Sequence, residues 1–148
     1  MSSKVPIAYI DMRVFAHATE DPDKVMTAIH NTIPPELVGN VAFNKSNLTG
    51  HHGNPITLIE TRIKEKEAVQ PVFEKLSAGL SILDKEQLCN EIDQHFESGN
   101  LYLRLDKQFA YFNELRFSVT DTIHLRIHFK KHSKEEVVEI CRRFGLLP

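Results

Sequence analysis

Apolar residues recur at every second position in three stretches of the chain and at every third or fourth position in the segments between them. Across residues 7–17, Ala8, Ile10, Met12, Val14 and Ala16 alternate with Tyr9, Asp11, Arg13, Phe15 and His17. Leu101, Leu103 and Leu105 alternate with Tyr102, Arg104 and Asp106. Ile123, Leu125, Ile127 and Phe129 alternate with His124, Arg126, His128 and Lys130. Successive side chains of a strand point to opposite faces, so each stretch predicts a half-buried strand. Two further strand-like runs, about 39–48 and 56–64, flank Thr-Gly-His-His-Gly-Asn-Pro, a cluster of turn formers that predicts a hairpin. A short strand is also expected at 114–118.

The helical period appears four times. Asp21-Pro22 offers an N-cap and a first-turn proline, Val25, Ile29 and Ile33 continue the stripe, and Pro34-Pro35 ends it. Val69, Val72, Phe73, Leu76 and Leu80 predict a second helix, with Pro71 in its first turn or at a kink. A third opens at Asp84, with Gln87 as capping partner, Leu88, Ile92 and Phe96 inward, and Gly99 as its stop. The last is capped by Ser133 and Glu136 and buries Val137, Ile140, Cys141 and Phe144. The pattern predicts an α+β fold. One domain spans 1–148, with a core of about 7–130 and a C-terminal helix of about 133–146. Its sheet is largely antiparallel, with helices packed on one face.

Composition narrows the class. Apolar content of 41% and charged content of 26% over 148 residues fit a globular chain. No run approaches the ~20 apolar residues of a membrane span, and the N-terminal segment lacks a basic region followed by an apolar run. Cys89 and Cys141 both sit in helical patterns and read as reduced thiols, so a cytoplasmic protein without membrane partners is expected. The net charge of −2 argues mildly against a nucleic-acid ligand. Its distribution argues the other way. Residues 65–97 hold eight acids against three lysines, whereas 101–134 hold seven bases against three acids, with three histidines besides.

The polar sides of the strands then become the informative surface. They collect Arg13, Arg62, Lys64, Arg104, Arg126 and Lys130, the histidines His17, His124 and His128, and the aromatics Tyr9, Phe15 and Tyr102. The acids among them are Asp11, Glu60 and Asp106. Cations neutralise phosphates and aromatics stack on unpaired bases, so one reading is an open-sheet RNA reader. Two others fit the same pattern: the wet side of an antiparallel sheet, and a dimer interface rich in Tyr, Phe and Arg.

Other chemistry is weakly signalled. His51-His52 would diverge in a strand and would meet one metal ion only in a bent loop, and no spacing supplies a third ligand. The surrounding Gly-His-His-Gly-Asn backbone is a weak candidate phosphate cradle. Asp106 and Lys107 are adjacent and diverge, which disfavours an acid–base pair. There is no phosphate-binding loop, dinucleotide fingerprint or CxxC pair. The expectation is a non-enzyme without cofactor or metal. Lys107 reads as a solvent-facing strand end, and Phe109, Tyr111 and Phe112 as a helical turn plugging the core.

Three strings carry a resemblance: VFAHATEDPDKV from Val14, GHHGNPITLIETRIK from Gly50 and GNLYLRLDKQFAYFNELR from Gly99. Taken together over about 7–130, they resemble an archaeal family of RNA-binding proteins described as predicted exosome subunits. The resemblance implies an α+β fold related to the ribosomal protein that binds 5S RNA, a tendency to dimerise, and exosome or other RNA-processing proteins as partners. Its shared positions include His17, Glu20, Arg104, Asp106, Lys107, Gln108, Tyr111 and Glu114. The pattern departs at Phe109, where smaller residues are usual, and at Asn113, where glycine is usual and Asn tolerates the same left-handed turn. The combined expectation is a non-catalytic RNA binder. Arg13, Arg62, Lys64, Arg104, Lys107, Arg126 and Lys130 face phosphate, Tyr9, Phe15 and Tyr102 face bases, and His128 lies among them. The alternative is a homodimeric interaction module using the same face.

Overall fold

The computed structural model describes residues 5–50 and 52–148. Six strands form one sheet: β1 (Ile7–Ala16), β2 (Asn44–Thr49), β3 (Pro55–Ile63), β4 (Phe96–Glu97), β5 (Asn100–Asp106) and β6 (Thr122–Phe129). The spatial order is β2-β3-β1-β6-β5-β4, and every pairing is antiparallel. Six α-helices accompany it: α1 (Pro22–His30), α2 (Lys66–Gly79), α3 (Ile82–Asn90), α4 (Ile92–His95), α5 (Lys107–Tyr111) and α6 (Lys134–Phe144).

The predicted alternation decides which face is covered. Ile10, Met12, Val14, Ile59, Ile63, Leu101, Leu103, Leu105, Ile123, Leu125, Ile127 and Phe129 are all at most 2% exposed. Against them lie Val25, Ala28 and Ile29 of α1, Val69, Val72, Phe73 and Leu76 of α2, and Val137, Ile140 and Cys141 of α6. Phe73 meets Phe129 edge-on at 5.9 Å and Phe144 at 5.1 Å, which joins sheet, α2 and α6 in one layer. Apolar burial at about 25 cal/mol per Å² makes this layer the main source of stability.

Local signals set most element ends. Asp21 accepts from Asp23 N, Ser133 from Glu136 N, and Gly145 closes α6 in the left-handed region. Asn113 adopts φ 64, as its glycine-like role requires. Several boundaries differ from the sequence expectation. The alternation slips at Ala8, where a bulge between Ile7 and Tyr9 turns Ile7 inward. Residues 35–40 form a 3₁₀ turn, so β2 starts only at Asn44 and is exposed along its whole length. Pro71 lies inside α2, beyond the first turn. The third helix starts at Ile82, capped by Ser81 Oγ, and breaks at Glu91. Phe96 then belongs to β4, and Ser98-Gly99, both at positive φ, make the tight hairpin into β5. Gly99 sits at φ 85, where a side chain is strained, and a β-carbon there would also lie 2.7 Å from His132 Cδ2 and push that ring aside. The segment at 114–118 runs along β5 through one bridge, Leu105 to Phe117.

Candidate nucleic-acid interface

The uncovered face of the sheet carries the polar side chains in registered rows. In one row Arg62 of β3, Asp11 of β1, Arg126 of β6 and Tyr102 of β5 lie side by side. In the next row come Asn44, Glu60, Arg13, His124 and Arg104. These rows line a groove of about 1110 Å³. Its wall is formed by Gln87 of α3, His95 of α4 and Glu91 between them, with Phe117 and Val119 beyond. Two bonds hold this wall beside β5. Phe117 N donates to Asp84 Oδ2 at 3.2 Å, and His95 Nδ1 donates to the Tyr102 carbonyl at 3.1 Å.

The first row is internally paired. Arg62 grips Asp11 with both Nε (2.7 Å) and Nη2 (3.0 Å), and Arg126 Nη2 reaches the same carboxylate at 2.7 Å. Burial pushes the Asp11 carboxyl up, but the bonds from the two arginines outweigh it and hold it below its ordinary range. The same bonds raise both guanidinium groups further. Tyr9 is occupied as well. His128 stacks on it at 4.8 Å, and the Arg62 guanidinium lies over the ring at 4.0 Å. His128 Nδ1 is bonded to Asn100 Oδ1 at 2.7 Å. Tyr9, one of the aromatics expected to face bases, therefore already has its ring in contact with His128 and Arg62. Tyr102 is 39% exposed, while Phe15 is half-buried.

The second row lacks that pairing. Arg13 and Arg104 are exposed, and among the described residues neither forms an ion pair. Burial first, then the charges of Arg104 and Arg13, hold the His124 imidazole below its ordinary range, so both guanidinium groups bear on that ring. Lys64 and Lys130, just past the ends of β3 and β6, are exposed.

Lys107 is a correction. Expected at the solvent-facing rim, it is only 3% exposed. Its Nζ donates to the Phe15 carbonyl and to Glu20 Oε1, both at 2.8 Å, and pairs with Asp121 Oδ1 at 2.8 Å. The expected strand end is a folded corner. Asp106 caps α5 by accepting from Phe109 N, and Asn31 Nδ2 ties α1 to the Ala110 and Tyr111 carbonyls. The core plug there is Ala110 with Tyr111 packed against the core beside it, whereas Phe112 is 70% exposed and Phe109 lies under the Arg116 guanidinium at 4.1 Å. His17, Glu20 and Asp121 stand close enough to share a metal ion, but the cation their carboxylates hold is the ammonium of Lys107. Of the His51-His52 candidate, His51 lies outside the described residues and His52 is exposed in the hairpin turn.

Sequence reasoning missed the Asp11 clamp, the groove wall and the Lys107 corner. Asp11 carried a signal, as the one acid between Tyr9 and Arg13 on a basic strand side. The wall carried none, because Leu88 and Ile92 marked its helix as a core element.

Comparison with known proteins gives this geometry a context. Residues 9–129 match the family described as RNA binding. The chain is 36% identical over 149 aligned positions to RNA-binding protein PAB1135 of Pyrococcus abyssi, covering 97% of each chain. Among solved structures, Mth689 of Methanothermobacter thermautotrophicus, a DUF54 protein, aligns with a TM-score of 0.75 and 32% identity, over 93% of this chain and 97% of that one. Protein AF2318 of Archaeoglobus fulgidus shares the fold, with a TM-score of 0.78 and 24% identity over 93% of this chain and 99% of that one. By the extent of these matches, the chain belongs to the RNA-binding family.

Proposed function

We propose that the chain binds RNA on the open face of its sheet and catalyses no reaction there. The observation that carries this reading is the exposed, net-basic groove in which Arg13 and Arg104 stand unpaired beside the accessible ring of Tyr102. Unpaired guanidinium groups are the phosphate-binding elements, with Lys64 and Lys130 extending them. Tyr102 supplies the stacking platform. Arg62 and Arg126 keep the residual positive charge that one carboxylate cannot cancel, and with His128 they form the floor beneath the ligand. Arg13, Arg62, Lys64, Tyr102, Arg104, Arg126, His128 and Lys130 thus remain in the proposed site, and Lys107 leaves it.

An accessory role in RNA processing, alongside exosome proteins, and kinship with the 5S-RNA-binding ribosomal protein are the finer parts of the proposal. A cytoplasmic setting belongs with them. Ultraviolet crosslinking to RNA, read by peptide mass spectrometry, tests the central part. The reading expects crosslinked peptides from β1, β5 and β6, Tyr102 foremost. Crosslinks confined to α1, α2 and α6 would overturn it. A homodimer through the same face would appear as a dimer in light scattering that RNA dissociates.

A further inference from the structure

The basic side chains of the open face form a track with an end. Along the strand direction it runs from Lys64 and Lys130, past Arg62 and Arg126, to Arg13 and Arg104. Successive same-face rows are two residues, or about 6.7 Å, apart. The row after Arg13 changes character: Leu58, Phe15 and Asp106 replace cations, and Asp121 lies nearby in the Lys107 corner. To the side, Glu91 and His95 of the wall are paired with each other at 3.7 Å and close the groove beyond β5. A polyanion following the cations therefore meets apolar and acidic surface past Arg13 and Arg104.

The last basic row is also built for more than one negative charge. Arg13, His124 and Arg104 lie directly opposite one another on three neighbouring strands. Strands are about 4.8 Å apart, so both long guanidinium side chains can reach one anion held above the imidazole. Asp11, one row back, is held by Arg62 and Arg126, and Glu60, directly opposite Arg13 on β3, forms no ion pair with it. Two like charges facing one ring, neither held in an ion pair, are stabilised by an arriving anion. A phosphodiester brings one charge, whereas a terminal phosphomonoester brings close to two at pH 7.

We infer that Arg13, His124 and Arg104 form a pocket for the terminal phosphate of a single-stranded RNA, so that the protein reads an RNA end rather than an internal segment. This rests on the RNA-binding reading above and specifies its substrate class. The Arg pair binds the monoester oxygens, and His124 offers a ring N–H as a third donor.

The test is fluorescence anisotropy on the intact protein. The probes are one short oligouridylate in three forms: 5′-phosphate, 3′-phosphate and hydroxyl at both ends. One phosphorylated form should bind about tenfold tighter than the hydroxyl form, the equivalent of one well-placed charge-assisted contact. Arg104→Gln and, independently, Arg13→Gln should erase that gain, so that each variant binds all three oligomers within about twofold of one another, whereas Lys64→Gln should weaken all three alike and keep the gain. Both residues are exposed and unpaired, so circular dichroism should show both variants folded. Equal affinity for all three oligomers overturns the end-reading inference and leaves RNA binding standing. An undisturbed gain in both variants overturns the assignment to this pocket. Failure of every oligomer to bind overturns the RNA reading itself.

Discussion

Lys107 and Arg104 are three residues apart in sequence, lie in the same family-like string, and have opposite fates. Lys107 is folded into a corner where two carboxylates and a backbone carbonyl saturate its ammonium. Arg104 stands on the open sheet with no ion pair among the described residues. The difference is a matter of backbone geometry. Up to Asp106 the strand alternates, and even-numbered side chains face the groove. At Lys107 the chain turns into α5, and the side chain swings under the sheet end toward Glu20 and Asp121. A cation spent on holding the fold cannot also neutralise a ligand. A charge count over the chain therefore says less about RNA than a count of the cations left unpaired.

The contrast is sharpest in its energetics. Lys107→Met leaves two carboxylates facing each other at a buried corner. Breaking a fully buried pair costs about 3–5 kcal/mol, and the partial exposure of Glu20 and Asp121 lowers the expectation to about 2–4 kcal/mol. Urea unfolding should show that loss, while RNA affinity of the folded variant stays within about twofold. A stable Lys107→Met protein with lost RNA binding would reverse the assignments of the two cations.

Asp11→Asn tests the paired row from the other side. It removes the carboxylate that Arg62 and Arg126 share, so the groove gains one positive charge. RNA affinity should rise about threefold to fivefold, roughly 1 kcal/mol, and stability should fall by up to about 1 kcal/mol because the pair is partly exposed. The pH dependence follows from the sign of the Asp11 shift. A carboxyl held below its ordinary value contributes stability above about pH 4, lost as pH falls through the lowered value. The stability gap between wild type and Asp11→Asn should therefore close in acid. A gap constant down to pH 2 would deny the clamp.

The smallest expected effect separates the two rows directly. Arg62→Gln should change RNA affinity by less than about twofold, because Asp11 already holds that charge, whereas Arg13→Gln should cost about fivefold. Equal losses at the two positions would mean that the internal pairing does not matter to the ligand.

The strands that build the face were legible because alternation alone assigns a side to each residue. That placed Arg13, Arg104, Tyr102 and His124 on one surface before any pairing was known. What alternation cannot give is who meets whom across the sheet. Arg62 and Arg126 find Asp11 from 51 and 115 residues away, and Lys107 finds Glu20 from 87. Each of these partners is a long-range consequence of strand order, and each converts a cation that looked available into one that is not. The bulge at Ala8 and the break at Glu91 escaped for a related reason: tertiary pairing overrides a period that reads as continuous. Of the corner aromatics only Tyr111 packs on the core; Phe109 and Phe112 misled because spacing suggested a plug, whereas the small Ala110 is what fits beneath the turn.

The central claim is that unpaired arginines on the open sheet carry the RNA. The salt dependence of RNA binding in Arg13→Glu/Arg104→Glu measures it most directly. Each lost phosphate contact to a single strand should lower the slope of log affinity against log salt by about 0.7, so the double variant should lose about 1.4. Its low-salt affinity should fall by more than about tenfold, with the urea midpoint unchanged. An unaltered slope and affinity in a folded double variant would contradict the claim and move the RNA site off this face.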